Sequence, residues 1–245
     1  MEVRRIYVDT LKMKNGMVLV TGPNCKYIVS VLRKTVGERI DLIDGKGYLY
    51  HTVIHAIKGK EVYVQVHDVV HHPEEKRPEV TLLVSPIKGP RMDWLVEKAT
   101  ELGVARIVPT FFKRTVVKIE DSEKEKWERW KRITIEASRQ SGRFSVPEVT
   151  PPVPLRAALS YVDGVAHRIV LYEKERVTTM RAVMAEATNG QICVAIGPEG
   201  GIEEREVEWL KENGFVTCTL GENILRTETT PLVVLSIIFY ESSMR

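Results

Sequence analysis

A glycine-rich turn with acidic neighbours is the first segment of this chain that could do chemistry. It has the sequence IGPEGGIEEREV, occupies residues 196–207 and follows an apolar run. Such glycines indicate a tight turn or a close approach of the backbone to a ligand. The segment matches neither the GxGxxG dinucleotide-binding motif nor the phosphate-binding loop that ends in Gly-Lys-Ser/Thr. A phosphate would also be repelled by the neighbouring carboxylates, which are Glu199, Glu203, Glu204 and Glu206. These residues favour a ligand without phosphate, and a purely structural turn is the alternative.

A second segment with reactive side chains is LGENILRTETTPL at residues 220–232, which also follows an apolar run. It contains an arginine, Arg226, close to a carboxylate, Glu228, and several hydroxyl groups. Ligands of open α/β sheets bind outside the carboxyl ends of the strands, so this segment and the glycine-rich turn could border one crevice. The alternative is a long connection in which Thr229 or Thr230 caps the following helix.

A third segment, EASRQSGRFSVPEV at residues 136–149, carries two arginines near the end of an expected helix. Arg139 and Arg143 could clamp a phosphate group with paired hydrogen bonds. Cations are also favoured at a helix C-terminus by the helix dipole, so a structural role remains the alternative.

Beyond residue 80, short apolar runs alternate with longer amphipathic segments. This alternation predicts an α/β fold with a mostly parallel sheet that is covered on both faces. We expect strands at residues 80–85, 105–112, 168–172, 191–196 and 216–220. We expect helices at residues 92–102, 124–140, 177–187, 203–213 and 231–241.

Two of these helices carry informative apolar patterns. In the helix expected at residues 124–140, apolar residues recur on one face at three- and four-residue spacing, and they are Trp127, Trp130, Ile133 and Ala137. This spacing indicates core packing rather than stacking on RNA bases. The last helix is apolar nearly all round, and such a helix must be covered on every side. A second subunit or burial within one chain could provide that cover.

The first 70 residues have a different character, with short β-branched or alternating runs and a hairpin signal, DGKG, at residues 44–47. Strands at this spacing predict a small barrel, with one helix at residues 24–34. This part holds 11 Lys and Arg against 7 Asp and Glu, a net +4, whereas the remainder has 25 against 26, a net −1. The excess favours a module that binds a polyanion, with ordinary scatter as the alternative. The proline-bracketed residues 71–78 predict a linker.

Composition limits the class of protein. The chain has 245 residues, no apolar run near the ~20 residues that span a bilayer, and no apolar signal segment at its N-terminus. The chain has three widely spaced cysteines, Cys25, Cys193 and Cys218. Their odd number and spacing favour a reducing cytoplasm over a disulfide framework and give no sign of a metal site.

The three reactive segments, which follow one another along the chain at residues 136–149, 196–207 and 220–232, resemble those of the small-subunit (16S) ribosomal RNA uridine-N3 methyltransferases of the SPOUT superfamily. KYIVSVLRKTVGERIDLIDGKG is similar to the PUA-like barrel of that family, and WLVEKATELGVARIVP to the start of its catalytic domain. The resemblance implies a PUA-like β-barrel at residues 1–70, the linker at 71–78, and a SPOUT methyltransferase domain at 79–245. That domain would have a parallel sheet with a C-terminal trefoil knot, and the enzyme would be a homodimer through the knot region.

The resemblance also implies S-adenosylmethionine as the methyl donor, a cofactor without phosphate, and no metal. Residues expected to bind the donor lie in three loops, and they are Leu171, Tyr172, Ile196, Gly197, Pro198, Glu199, Gly200, Gly201, Leu220, Gly221, Ile224, Leu225, Arg226 and Thr230. Arg226 is expected to stabilise the uracil as it becomes an anion, and Glu228 or a water molecule to accept its N3 proton. Because N3 lies on the pairing edge, the target base must be unpaired or flipped out.

The partner is expected to be 16S ribosomal RNA or the small ribosomal subunit. Its binding residues would be Arg4, Arg5, Arg33 and Lys34 of the barrel and Arg139, Gln140 and Arg143 of the catalytic domain. The chain departs from the family at LYEKER, which makes Glu173 a weak donor-site candidate, and at Cys25-Lys26, where a histidine pair is common. A SPOUT enzyme with another RNA target, such as a ribose 2′-oxygen or a tRNA base, and a non-catalytic RNA-binding protein are the alternatives.

Overall fold

The computed structural model describes residues 5–8, 11–71, 78–117, 123–186 and 190–243. The chain divides into two compact units, Met1–Glu75 with Ser138–Val146, and Lys76–Ala137 with Pro147–Arg245. Most of the predicted linker, residues 72–77, lies outside the described residues, as does Arg4.

The N-terminal unit is built on one mixed sheet of six strands, ordered β1-β4-β5-β6-β3-β2. β1 pairs with β4 in parallel and the other pairs are antiparallel. The strands are β1 Arg5–Tyr7, β2 Met13–Lys14, β3 Met17–Val20, β4 Arg39–Ile43, β5 Tyr48–Lys58 and β6 Glu61–His71. The predicted hairpin between β4 and β5 is confirmed. In its turn the carboxylate of Asp44 accepts the backbone N–H groups of Lys46 at 2.8 Å and Tyr48 at 3.2 Å.

The helix of this unit is shorter than the sequence pattern predicts. α1 spans Gly22–Lys26 and continues as a π-helical turn over Tyr27–Val31. Cys25 and Ile28 anchor it in the core of the sheet, where they are 4% and 0% exposed. The expected continuation to residue 34 fails because Arg33 takes a left-handed φ of 53°, which ends helical geometry.

Residues Ser138–Val146 belong to the N-terminal unit, although the sequence analysis assigned them to the catalytic domain. The guanidinium of Arg5 stacks on the Phe144 ring at 4.6 Å and donates to the carbonyl of Gly142 at 3.1 Å. Arg139 lies over the ring of Tyr27 at 4.4 Å. These cation–π and backbone contacts join residues far apart in sequence, so no periodic pattern announces them.

The C-terminal unit is an α/β layer structure whose strand pairs are all parallel, as predicted. Its sheet runs β10-β8-β7-β12-β11-β13, with β9 also beside β8. The strands are β7 Glu79–Val84, β8 Arg106–Phe111, β9 Glu148–Val149, β10 Val153–Pro154, β11 His167–Leu171, β12 Gln191–Ile196 and β13 Phe215–Cys218. The helices are α2 Pro90–Glu101, α3 Glu123–Ser141, α4 Leu155–Ala158, α5 Met180–Glu186, α6 Glu204–Glu212 and α7 Thr230–Ser243. The short elements β9, β10 and α4 and a 3-10 helix at Leu159–Tyr161 were not predicted, because two to four residues show no periodicity.

Both faces of this sheet are buried, because neighbouring residues of a strand point to opposite sides. In β7, Leu82 packs into the core formed with α2, α3, α5 and α7, and Leu83 packs into the core formed with α4 and α6. Trp130 is 6% exposed in the first core, so its face of α3 is a packing surface, as predicted. The indole N–H of Trp127 donates to the carbonyl of Val149 at 2.6 Å.

The apolar last helix, α7, is covered on one side within the chain. Its inner face, Val234, Leu235 and Ile238, is fully buried against the sheet. Ser236 is exposed, and Tyr240 is 60% exposed. No helix in the described part of the chain is long and apolar enough to cross a membrane.

Substituting Leu235→Ala should destabilise the C-terminal unit by about 2–5 kcal/mol, because it leaves a cavity under α7. Urea unfolding followed by tryptophan fluorescence measures this, since all four tryptophans lie in that unit. Ser236→Ala, on the exposed face of the same helix, is the control and should change stability by less than about 0.5 kcal/mol. Equal midpoints for the two variants would contradict the packing assigned to α7.

Candidate functional site

A cavity of about 770 Å³ lies in the C-terminal unit, where the loops after β11, β12 and β13 meet. In the parallel register, Leu171 at the end of β11 is level with Ile196 of β12 and with Cys218 of β13. The three loops therefore start at one edge of the sheet. The volume is typical of small-molecule and cofactor sites.

All fourteen residues that the sequence analysis assigned to the donor line this one cavity. They lie between residues 171 and 230 of the chain. The structure thus brings together the three segments that were expected to bind the donor, residues 171–172, 196–201 and 220–226.

Close packing explains the glycines of the 196–201 loop. Gly201 has a φ of +75° and donates its N–H to the carbonyl of Pro198 at 2.9 Å, which closes the turn. A Cβ on Gly201 would lie 2.6 Å from the Oε1 atom of Glu173. A Cβ on Gly197 would lie 2.3 Å from the Cγ1 atom of Ile202. At Gly197 the stem of Ile202 leaves no room for a side chain, whereas at Gly201 the exposed Glu173 carboxylate can move aside and the left-handed φ is what requires glycine.

The acidic residues that follow this loop are engaged by nearby donors. Glu203 lies 3.6 Å from Arg114, and Glu204 lies 2.5 Å from Lys174, whose hydrogen bond lowers the pKa of Glu204. Glu206 accepts backbone N–H groups from Lys113 at 2.8 Å and from Glu203 at 3.2 Å. These carboxylates brace the loop and the start of α6, so their repulsion of a ligand is weaker than the sequence alone suggests.

Glu199, at the centre of the loop, pairs with Arg91 at the start of α2. The hydrogen bond from this pair raises the pKa of Arg91, which stays fully charged. The same guanidinium lies 3.7 Å from the Oε1 atom of Glu228. Arg91 lines the cavity and was missed by the sequence analysis. The sequence gives one signal for this residue: Arg91 directly follows Gly-Pro at the start of a helix, where the helix dipole disfavours a positive charge.

The 219–230 loop is fixed by backbone and hydroxyl contacts. The carbonyl of Arg226 accepts the N–H groups of Thr229 at 2.9 Å and Thr230 at 3.0 Å, and the Thr230 hydroxyl at 2.9 Å. The hydroxyl of Thr227 donates to the carbonyl of Gly197 at 3.3 Å, which joins this loop to the glycine-rich one. The side chain of Arg226 is left exposed at the cavity.

Glu228, the expected proton acceptor, is not among the residues that line the cavity, and its side chain is only 10% exposed. Its Oε2 atom is buried and has no hydrogen-bond partner among the described residues.

Glu175 fixes the loop after β11. Its Oε1 atom accepts the N–H groups of Val177 at 2.9 Å and Thr178 at 3.1 Å, and its Oε2 atom accepts the hydroxyl of Thr217 at 2.6 Å. These bonds, led by the one from Thr217, lower the pKa of Glu175 to about 2. Arg176 donates to the carbonyl of Glu173 at 2.6 Å and lines the cavity, which the sequence analysis also missed.

The described residues expected to bind RNA all lie in the N-terminal unit. Some are engaged within it: Lys34 pairs with Glu38 at 2.8 Å, and Arg143 donates to the Ser145 hydroxyl at 3.0 Å. Arg33 and Gln140 are exposed. Arg5 and Arg139 contribute to the stacking contacts that hold residues 138–146 in this unit.

The cavity offers a cofactor both apolar and polar contacts. Its walls combine apolar side chains such as Ile196 and Leu225 with loop backbone and with three arginines, Arg91, Arg176 and Arg226. Glycines at 197 and 201 leave the backbone bare where a side chain would clash. The described part of the chain contains no cluster of three or more His, Cys, Asp or Glu residues suited to a metal ion.

Comparisons with known proteins agree with this geometry. A family model of the RNA methyltransferase domain matches residues 73–239, and a model of the RNA methyltransferase PUA domain matches residues 20–66. The chain is 32% identical to ribosomal RNA small subunit methyltransferase E of Bacillus subtilis (strain 168), over 92% of this chain and 90% of that protein. It is 30% identical to the Mycobacterium tuberculosis (strain CDC 1551 / Oshkosh) protein of the same name, over 95% and 89%.

Solved structures are similar over nearly the whole chain. The crystal structure of a ribosomal RNA small subunit methyltransferase E from Neisseria gonorrhoeae, bound to S-adenosyl methionine, has a TM-score of 0.79 at 29% identity and covers 96% of each chain. The sequence-based resemblance is thereby confirmed, with an α/β methyltransferase domain of SPOUT type preceded by a PUA-like domain. The chain belongs to the RNA methyltransferase family that includes ribosomal RNA small subunit methyltransferase E.

Proposed function

We propose that this protein is an S-adenosylmethionine-dependent methyltransferase that methylates N3 of a uridine in 16S ribosomal RNA. The observation that carries the proposal is the convergence of all fourteen expected donor residues on one cavity at the carboxyl edge of a parallel sheet. Relatives named ribosomal RNA small subunit methyltransferase E support the RNA substrate, and the Neisseria gonorrhoeae structure with bound S-adenosyl methionine supports the donor.

The donor would be held by the three loops. When bound, S-adenosylmethionine supplies a methyl group attached to a positively charged sulfur. The glycine-rich loop offers bare backbone, and Leu171, Ile196 and Leu220 offer an apolar wall. The anchoring of Glu175 and the Thr227–Gly197 hydrogen bond keep the loops in place before the ligand arrives. Such preorganisation lowers the entropy cost of placing donor and acceptor in line.

Uracil N3 carries a proton at neutral pH, so the chain must remove that proton or stabilise the anion that remains. The first role is assigned to Glu228 or to a water molecule: Glu228 does not line the cavity, but it lies 3.7 Å from Arg91, which does. Arg226 is assigned the second role, because its side chain is exposed at the cavity. A guanidinium can donate to a uracil carbonyl oxygen as charge develops there, which stabilises the transition state more than the ground state.

The RNA would be gripped by the PUA-like unit, where the exposed Arg33 and Gln140 belong to one compact unit with Arg5, Lys34, Arg139 and Arg143. Cations on such a surface bind the phosphate backbone without reading the sequence. The base itself must leave its stack to present N3.

The finer features of the family belong to the same proposal. We assign the C-terminal unit a trefoil knot and the enzyme a homodimer formed through α7. The apolar but incompletely covered surface of that helix supports the dimer. The three cysteines are free and buried, which is consistent with a cytoplasmic enzyme.

Reverse transcription of ribosomal RNA tests the function directly. N3 methylation blocks Watson–Crick pairing, so the wild-type strain should give a polymerase stop at the modified uridine in 16S RNA. A strain that lacks this protein should lose the stop, and the purified protein with donor should restore it. A stop that persists in the deletion strain would overturn the proposal.

Gly201→Ala should weaken donor binding at least about tenfold, since the new Cβ would clash with Glu173 and the residue needs a left-handed backbone. Isothermal titration calorimetry with S-adenosylmethionine measures this. Gly164→Ala is a matched control: its φ is also +75°, but nothing lies within 4 Å of the added Cβ. Donor affinities that fall equally in both variants would show general backbone strain instead of a donor-loop effect.

Arg226→Ala should lower the single-turnover rate of methyl transfer by about 10²–10³-fold, the usual effect of removing one donor to a developing oxyanion. Donor affinity should change little, because the arginine acts on the uracil. Arg205→Ala, on the exposed surface of α6, is the control. An unchanged rate in Arg226→Ala would remove this residue from the mechanism.

A further inference from the structure

The N-terminal unit carries an exposed aromatic pair at one end of its two longest strands. Tyr48, the first residue of β5, lies opposite His71, the last residue of β6. Their ring centroids are 4.5 Å apart, and the ring planes are tilted by 38°. Tyr48 is 40% exposed and His71 is also exposed, whereas the neighbouring Leu49 is 5% exposed. The pair therefore stands outside the core of the sheet.

An exposed apolar side chain extends this surface along β6. Val69 lies two residues before His71, so both side chains point to the same side of the sheet. Val69 is 41% exposed and pairs across the strands with Tyr50, two residues after Tyr48. The rings and the valine thus form one surface that the described fold leaves open to solvent.

Cations lie beside this surface. Lys46, in the turn of the β4–β5 hairpin, is exposed, and its backbone pairs with Ser145. Arg143 donates to the hydroxyl of that serine at 3.0 Å. On the neighbouring ring, that of Phe144, the guanidinium of Arg5 stacks at 4.6 Å. Three cations are thus tied to the turn that leads into the aromatic pair, all within one compact unit.

The carboxylate of this turn, Asp44, fixes its shape. It accepts the backbone N–H of Lys46 at 2.8 Å and that of Tyr48 at 3.2 Å. The backbone that carries the lysine and the tyrosine is therefore set before any ligand arrives, which lowers the entropy cost of binding.

Ring faces beside cations match the chemistry of single-stranded RNA. Cations hold phosphate groups, and aromatic rings stack on bases that are not already stacked in a helix. A double helix covers the faces of its bases and offers nothing to such rings. An apolar protein partner would leave the three cations without a counter-charge.

We infer that Tyr48 and His71 form a stacking platform for an unpaired base of the RNA, and that Lys46 and Arg143 hold phosphate groups next to it. The inference rests on the proposed function, which supplies the RNA. A uridine that is methylated at N3 must be unpaired, so the substrate presents unpaired nucleotides. The platform binds a base through its face and reads no base edge, so it contributes affinity without sequence preference.

Equilibrium binding of RNA to the full-length protein tests this inference. The probes are a fluorescent single-stranded oligouridylate and the same strand in a duplex with oligoadenylate, followed by anisotropy at several salt concentrations. Tyr48→Leu keeps apolar bulk but removes the ring, and Tyr48→Phe keeps the ring. Leu19→Ala is the matched control, since Leu19 is 44% exposed on the same sheet, beside the opposite end of β6.

We expect Tyr48→Leu to weaken binding of the single strand about tenfold, as when one base–aromatic stack is lost, and Tyr48→Phe to bind like the wild type. The salt dependence should stay the same, because no cation is removed. Lys46→Ala should instead lower the slope of log affinity against log salt concentration by about 0.7. Duplex affinity should not respond to either Tyr48 variant, and Leu19→Ala should change neither affinity.

Circular dichroism during urea unfolding shows whether each variant is folded, and His71→Leu provides a second removal of the platform if Tyr48→Leu does not fold. Single-strand affinities equal to that of the wild type in the folded variants would overturn the inference. Equal losses on the single strand and the duplex would also overturn it, because the duplex exposes no base face.

A loss that appears only with the intact small ribosomal subunit, and not with the oligouridylate, would identify a protein partner and would likewise overturn the inference. The proposed function can fail separately. A wild-type protein that binds the single strand through Tyr48 but transfers no methyl group to N3 would refute that function and leave the platform in place.

Discussion

The parallel pairing of β11 with both β12 and β13 is the constraint on which the site depends. Leu171 is level with Ile196 on one side and with Cys218 on the other, so three loops leave the sheet at the same edge. Parallel strands need cover on both faces, and the two cores on either side of the sheet provide it. The sheet edge that carries the cavity therefore depends on the burial of both sheet faces, and the packing of α7 contributes to that burial.

Local contacts then turn this edge into a shaped site. Gly197 lets the backbone pass Ile202 at a distance that no side chain would allow, and Gly201 supplies the left-handed φ that closes the turn. Ion pairs and N–H donors engage the acidic residues behind the loop, so acidity there is an element of the scaffold. Arg91 joins two of the loops, and Glu175 anchors the third. The chemistry assigned to Arg226 and Glu228 relies on this fixed frame.

Much of this arrangement could be predicted from the sequence, because its signals are periodic or local. The alternation of strands and helices gave the α/β class, and the family resemblance, carried mainly by motifs at residues 196–207 and 220–232, gave fourteen expected donor residues that all line the cavity. Arg91 could not be predicted, since its role comes from tertiary contacts with Glu199 and Glu228. The grouping of residues 138–146 with the N-terminal unit could not be predicted for the same reason: cation–π contacts of Arg5 with Phe144 and of Arg139 with Tyr27 leave no pattern in the sequence.

A crystal structure of the protein with S-adenosylmethionine tests the central claim most directly. The account predicts electron density for the cofactor between the glycine-rich loop at residues 196–201 and the loop at residues 220–226, with one molecule in each chain. Density at another place, or an empty cavity at a saturating cofactor concentration, would contradict it.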